Sequence, residues 1–252
     1  MRINHFVQAD VFLRNGMGRF WMDTCGGRDQ VAMTVLRKGW EFYEPPMPRI
    51  ISTWCEDFAP TFLDVGANTG FYSLLALVSG AKSAHAFEPV TEIADIFAAN
   101  ADVSELTSKV EIHRCAVGEM AGEQTLYFPL DGHGLIETSA SLSEDFRSKH
   151  SARKRVNVVS LDQMFGEANF NASPVILKID VESREAAVLQ GAERIVASVR
   201  PAIFAELLPE SDATVFTELC EKNAYRHYAL TDAGLIESAD IVGSHDWRMR
   251  CP

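Results

Sequence analysis

Apolar residues in this chain fall either into short continuous runs or into stretches where they recur every three or four positions. Phe62–Val65, His85–Phe87, Val175–Ile179 and Ala202–Ala205 are runs of strand length, as expected for strands buried on both faces. Helical spacing appears between them. Phe71, Leu74, Leu75 and Leu77 share one face, as do Ile93, Ile96 and Phe97. Ala187 to Val196 supplies a longer helix face, and Val215, Phe216, Leu219 and Cys220 another. Val110–Val117 alternates and stops at Gly118, which makes it the third strand. Tyr225–Leu230 and Leu235–Val242 flank the Asp232-Ala-Gly234 turn as a terminal strand pair. Strand and helix alternate in order, so the pattern predicts a doubly wound, mostly parallel α/β sheet of seven strands with an antiparallel edge hairpin.

The two ends of this core are less regular. Within residues 1–58, Gly16–Asp23 reads as a turn feeding a strand and Val31–Leu36 as a short helix. Tyr43-Glu-Pro-Pro-Met-Pro48 is a proline-broken connector, and Ile50, Ile51, Trp54 and Phe58 mark a helix packing on the sheet. This region is expected to cap a ligand site formed by residues 59–252 within one globular body, and a plain extension of the sheet is the competing reading. Further on, Gln124–Phe128 and Arg155–Leu161 read as strands and Asp162–Phe165 as a short helix. The polar segment between those strands, with its basic run Arg147–Arg155, is either a substrate lid or a wet loop.

Composition narrows the function classes. The 252 residues are 47% hydrophobic, enough for one full core. Lys and Arg number 23 against 35 Asp and Glu, a net charge of −12 that disfavours nucleic acid and anionic membranes as partners. No run of 18 apolar residues is present, and the first residues lack a secretory apolar core. Five scattered cysteines without C-x-x-C spacing predict reduced thiols and a cytoplasmic protein.

The chemistry concentrates in Thr61-Phe-Leu-Asp-Val-Gly-Ala-Asn-Thr-Gly-Phe-Tyr-Ser73, a strand, a glycine turn and a helix start. Its glycines read G-x-x-x-G, without the G-x-G-x-x-G of a dinucleotide site, which sets a dehydrogenase well behind. Asp64 at the strand end would repel a phosphate but suits an ammonium and a sulfonium, while helix-start N–H groups can hold a carboxylate. S-adenosylmethionine carries all three groups. Glu88 ends the next strand, where such folds place a carboxylate across the ribose hydroxyls. Ala116 and Val117, at the end of the third strand, are candidates for an apolar wall under an adenine.

Taken together, Asp64–Gly70, Phe87-Glu-Pro89, Val158–Asp162, Leu177–Glu182, Leu189-x-Gly-Ala192 and Arg200-Pro201 through Glu206 resemble the FkbM family of S-adenosylmethionine-dependent methyltransferases. The resemblance implies a class I, Rossmann-like methyltransferase fold. It puts Asp64, Gly66, Asn68 and Gly70 around the methionine part of the cofactor and Glu88 on its ribose, with S-adenosylhomocysteine as product. Asp180 falls where donor and acceptor meet. One position departs from the family pattern: Ser183 stands where a glycine is usual, and a serine there is expected to cap the next helix.

The acceptor implied is the hydroxyl of a small molecule or sugar, whose proton needs a base. Asp180 is the first candidate and His133, in the presumed lid, the second; His113 and His227 are further histidines of that kind. Asp180, Glu182 and Glu206 carry the oxygen donors that suit Mg²⁺, but nothing in their spacing gathers them, so no metal is assigned. Lys178, inside a buried strand, is expected to pair with Glu206 or Asp180. An N-methyltransferase of the same fold and a non-catalytic S-adenosylmethionine binder remain the alternatives. Oligomeric state is not legible.

Overall fold

The computed structural model describes residues 5–129, 142, 150–166, 170, 173–208, 213–231, 234–237 and 246–251. The chain opens with a hairpin, β1 (Phe6–Leu13) and β2 (Gly16–Asp23), then α1 (Gln30–Lys38), a 3₁₀ turn at Trp40–Phe42 and α2 (Met47–Phe58). Two βα units follow, β3 (Thr61–Val65) with α3 (Phe71–Val78) and β4 (Ser83–Phe87) with α4 (Thr91–Val103), and then β5 (Val110–His113). The chain then leaves this sheet for β6 (Ala116–Val117), β7 (Gly122–Pro129) and β8 (His150–Val159). It returns through α5 (Leu161–Phe165), β9 (Val175–Ile179), α6 (Glu185–Gln190), α7 (Glu193–Ser198) and β10 (Ala202–Leu207). Helix α8 (Ala213–Asn223) and strands β11 (Arg226–Thr231), β12 (Gly234–Glu237) and β13 (Asp246–Cys251) complete it.

The main sheet runs β12-β11-β13-β10-β9-β3-β4-β5. Five of these strands, β10 to β5, are parallel, and the other three are antiparallel. The expected seven-stranded sheet is therefore corrected to five parallel strands with three antiparallel ones at one edge, among the described residues. The β11–β12 hairpin is present, but β13 is wedged between it and β10. Residues 238–242 of the expected last strand lie outside the described residues. The alternation Trp247, Met249, Cys251 passed unread because it sits in a polar tail.

Two further elements differ from expectation. Val110–Val117 is not one strand: Arg114 breaks it by donating to the Thr91 carbonyl at 3.0 Å and pairing with Asp95 at 2.7 Å. Ala116 and Val117 pair instead with β8 in a separate sheet, ordered β6-β8-β7. The single helix expected through Ala187–Val196 is two, broken at Gly191, where a Cβ would overlap the Gly118 carbonyl oxygen.

The N-terminal hairpin shares its core with the sheet. Val7, Val11, Phe20 and Met22 are buried in the same cluster as Phe71, Leu74 and Phe97. Strand β1 was not foreseen, although Val7, Ala9 and Val11 alternate with Gln8 and Asp10 as a half-buried strand requires. Asn100 of α4, fully buried, fastens the hairpin: its Oδ1 accepts from Asp23 N–H at 2.7 Å and its Nδ2 donates to the Thr69 carbonyl at 2.8 Å. One side chain thus ties the hairpin to the glycine turn after β3.

That turn is crowded at Gly70, which has φ +95° and whose missing Cβ would overlap the Phe97 ring. Replacing Gly70 by Ala adds left-handed strain to a core collision, so an unfolding free energy lower by about 2–4 kcal/mol is expected. Urea denaturation should show this loss, with part of it recovered in Gly70→Ala/Phe97→Leu.

Candidate active site

A crevice of about 700 Å³, including its open mouth, lies where β3, β4 and β9 end. Ligands bind at this side of an open α/β sheet because the loops leaving the strands diverge there. Gly66, Asn68, Glu88, Ala116, Val117 and Asp180 line it, so the structure brings together six of the eight residues expected at a cofactor. Phe87, Val90, Ile93 and Leu126 add apolar surface that sequence reasoning missed, and Glu182 and Arg184 add charge. Leu126 reaches it from β7, a strand remote in sequence from the glycine turn, and no local pattern could have signalled that.

Gly66 has φ +78°, and a Cβ there would overlap the Asp180 carbonyl oxygen. Glycine is required here by the close approach of β9, whatever ligand binds. Beside it, Asn68 N–H donates to Glu88 Oε2 at 3.0 Å and Val90 N–H to Glu88 Oε1 at 2.8 Å. This loop N–H is thus committed to Glu88. Burial pushes the Glu88 carboxyl up to about 7 despite those two donors. Asn68 Oδ1 is buried with no hydrogen-bond partner among the described residues.

Asp64 and Gly70 do not line the crevice. Asp64 lies beneath it, fully buried, where Oδ2 accepts from Ser73 Oγ at 2.7 Å and Oδ1 lies 3.2 Å from Lys178 Nζ. Lys178 Nζ also donates to the Gly66 carbonyl at 2.8 Å, lies 3.4 Å from Asp180 Oδ2 and sits 5.4 Å from the centre of the Tyr72 ring. Burial alone would lower the lysine's pKa, but Asp64 and Asp180 outweigh it and hold the ammonium charged. The expected partner Asp180 is present. Asp64 takes the place expected of Glu206.

Glu206, at the end of β10, stands beside Asp180 instead. Burial, then the charges of Asp180 and Glu44, raise its pKa well above the usual carboxylate range. Glu44 is raised for the same reasons, while Tyr72 Oη donates to its Oε2 at 2.9 Å. Glu44 was missed as a site residue; the available signal was an acid set among prolines and aromatics in the Tyr43–Pro48 connector. Glu44 and Glu206 thus both feel the charge of Asp180, and both readily keep protons. Among the described residues, the ligand atoms of Asp180, Glu182 and Glu206 do not gather into a chelating group.

Ser183 does not cap α6, contrary to expectation. Its φ is +71°, its N–H donates to Glu185 Oε1 at 3.0 Å, and its Oγ is buried without a partner among the described residues. Left-handed backbone turns the serine away from the cap position. His133 lies outside the described residues. His113 and His227 are on β5 and β11 and do not line the crevice. Residues 147–149 of the basic run are likewise undescribed, but Arg153, Lys154 and Arg155 belong to β8. Lys154 pairs with Glu92 of α4 at 2.9 Å and Arg155 with Glu123 of β7 at 2.5 Å, so both are engaged in ion pairs within the protein. Asp162 and Gly191 tie two elements together away from the site. Asp162 N–H donates to the Gly191 carbonyl at 2.8 Å, and its carboxylate accepts from Arg194 and Ile195 N–H at the start of α7.

Lys178→Met should leave the buried Asp64 and the half-buried Asp180 without their cation, lowering the unfolding free energy by about 3–5 kcal/mol. Chemical denaturation would measure it. Adding Asp64→Asn should restore part of the loss, and an unchanged stability in the single variant would contradict the pairing.

Comparison with known proteins agrees with this geometry. The profile described as Methyltransferase FkbM domain matches residues 64–234. No curated protein matches the chain. Among solved structures, methyltransferase FkbM from Methylobacillus flagellatus KT superposes with a TM-score of 0.50 at 16% identity, over 76% of this chain and 43% of that one. The chain therefore spans less than half the length of that protein. An O-methyltransferase from Bacillus cereus in complex with SAH gives a TM-score of 0.48 at 13% identity, over 82% of this chain and 80% of that one. The profile spans from the glycine turn through the β11–β12 hairpin, and the chain belongs to the FkbM family of methyltransferases.

Proposed function

We propose that the protein is an S-adenosylmethionine-dependent methyltransferase that methylates a hydroxyl of a small molecule or sugar. The observation that carries this reading is the crevice itself, which has a different chemistry at each end. At one end Glu88 offers a carboxylate for the two ribose hydroxyls, and Phe87, Ala116, Val117 and Ile93 offer an apolar wall for adenine. The unpartnered Asn68 Oδ1 suits an ammonium donor. At the other end stands Asp180, with Lys178 3.4 Å away and with Glu206 and Glu44 close enough for its charge to raise both of their carboxyls. When bound, the cofactor supplies a methyl already activated on a sulfonium and leaves as S-adenosylhomocysteine.

The chain must then align the acceptor and receive its proton. Asp180 is suited to receive it, because its side chain is 21% exposed at the crevice while Lys178 holds one of its oxygens. Glu206 lies next to it and can share the proton, since burial favours its neutral form. Tyr43 and Glu44 bring residues 1–58 to this end, consistent with a cap that shapes the acceptor pocket. An oxygen acceptor is favoured over nitrogen because it requires the base that Asp180 provides. A cytoplasmic location is part of this reading, supported by the free thiols Cys25, Cys55, Cys115 and Cys220; no helix of the described residues is long and apolar enough to cross a membrane.

Two predictions test this reading. Calorimetric titration with S-adenosylmethionine should give saturable binding that weakens on the order of 10- to 100-fold in Glu88→Gln, through lost charge-assisted hydrogen bonds. Ribose hydroxyls need the ionised carboxylate, so affinity should rise with pH through about 7 and level off above it. Below that point it should fall roughly tenfold per pH unit, and Glu88→Gln should flatten the profile. Absence of binding at pH 8 would overturn the proposal. Secondly, Asp180→Asn should lower kcat by about 10²- to 10⁴-fold on a hydroxyl acceptor while leaving cofactor affinity within a few-fold. Turnover confined to amine acceptors would select N-methylation instead.

A further inference from the structure

A second cluster lies on the outer part of the sheet, with Phe87 between it and the crevice. His85 of β4 stands directly opposite Glu111 of the edge strand β5, and Phe87 opposite His113. Residues two apart in a strand share a face, so His85, Glu111 and His113 project from the same side of the sheet. The imidazoles are nearly parallel, 12° apart, with ring centres separated by 5.8 Å. Glu111 reaches both: its Oε2 is 3.4 Å from His85 Nδ1 and its Oε1 is 3.9 Å from His113 Nδ1. One ligand atom from each residue lies within 4.8 Å of the others, the only such group among the described residues.

We infer that His85, Glu111 and His113 form a binding site for a borderline first-row divalent cation, zinc above all. Two donors each about 2.0–2.1 Å from a tetrahedral Zn²⁺ are about 3.3 Å apart; the 3.4 Å separation already matches, the 3.9 Å one must close by about 0.6 Å, and the remaining one, within 4.8 Å, closes by side-chain rotation. Two imidazoles and a carboxylate suit zinc, whereas Mg²⁺ and Ca²⁺ require all-oxygen surroundings. The site also has an unmet need. His85 Nδ1 and His113 Nε2 are buried and make no hydrogen bond among the described residues. Buried polar groups rarely stay unsatisfied, and a metal would satisfy the first outright.

Access comes from the sheet edge. Glu111 is 66% exposed, against 24% for His85 and 14% for His113, so the carboxylate faces solvent and a fourth position is open to water. Phe165 closes the cluster edge-on to His85, with ring centres 5.0 Å apart. Phe87 stacks on His113 at 4.7 Å and also lines the crevice. An ion here would brace β4 against the unpaired edge of β5 and fix the ring that forms part of the apolar wall. It stands apart from Asp180 and takes no part in proton transfer.

The test needs no acceptor and no methyl transfer, so it succeeds or fails independently of the activity proposed above. Protein stripped with a chelator and held at pH 7.5, where free imidazoles are mostly neutral, is titrated with Zn²⁺ against a chromophoric competitor. One equivalent should bind, and Co²⁺ in its place should give the visible absorption of a four-coordinate nitrogen and oxygen set. His85→Gln and His113→Gln should abolish that equivalent. Glu111→Gln, which disturbs nothing buried, should weaken it by at least the ~10-fold that even an outer-shell partner contributes. No binding, or one equivalent bound equally well by Glu111→Gln, would overturn the inference. If the histidine variants fail to fold, the Glu111→Gln comparison and the Co²⁺ spectrum decide.

Discussion

The buried ammonium of Lys178 is the contact around which the ligand-binding end of the sheet is built. An isolated charge at that depth is prohibitively costly, and the cost is offset only by partners with good geometry. Those partners come from three places in the chain. Asp64 ends β3, the Gly66 carbonyl begins the turn, and Asp180 ends β9. Tyr72 of α3 adds its ring face and passes the connection on to Glu44 through its hydroxyl. One cation therefore fixes the relative height of two strand ends, a turn and a helix. It also pairs with the carboxylate of Asp180 that faces the crevice, while burial and the charge of Asp180 favour the neutral forms of Glu206 and Glu44.

Backbone proximity is the second constraint, and it explains the glycines better than ligand access does. At Gly66 the space a Cβ would need belongs to the Asp180 carbonyl, and at Gly70 to the Phe97 ring. Both positions also have positive φ, so two independent demands coincide on one residue type. The turn can approach the neighbouring strand closely enough for Lys178 to reach the Gly66 carbonyl because nothing projects between them. Ser183, by contrast, accepts a left-handed backbone without glycine, and its hydroxyl is left without a partner among the described residues.

Legibility in the sequence followed the range of the interactions. Strands β3, β9 and β10 are buried on both faces and announce themselves as mostly apolar runs of five or six residues, and the helices that follow carry one-sided patterns. Residues at strand ends, such as Glu88 and Asp180, could therefore be placed without knowing any contact. Strand β13 could not, since it is recognised by pairing with β10 and β11 rather than by its own composition. Nor could the break after His113, which depends on Arg114 reaching Thr91 and Asp95. Glu44 stayed hidden because its meaning depends on Asp180, more than a hundred residues away. Lys178 was marked as needing a carboxylate, and Asp64 was read as a ligand contact, yet each turned out to be the other's partner.

The excursion through β6, β7 and β8 gives the crevice its asymmetry. After β5 the chain abandons the parallel sheet for a three-stranded one, whose buried residues Ala116, Leu126, Val156 and Val158 form a small core with Val90 and Ile93 of α4's entry. Several of the same residues line the crevice, so this wall is apolar because it is the exposed margin of a core. The opposite wall consists of strand ends from the main sheet, where buried carboxylates concentrate. An acidic chain can bind a cation-bearing cofactor at such a boundary: planar apolar groups lie on one side and polar, proton-accepting groups on the other. The division of labour is thus a consequence of topology, set by where the chain leaves one sheet and enters another.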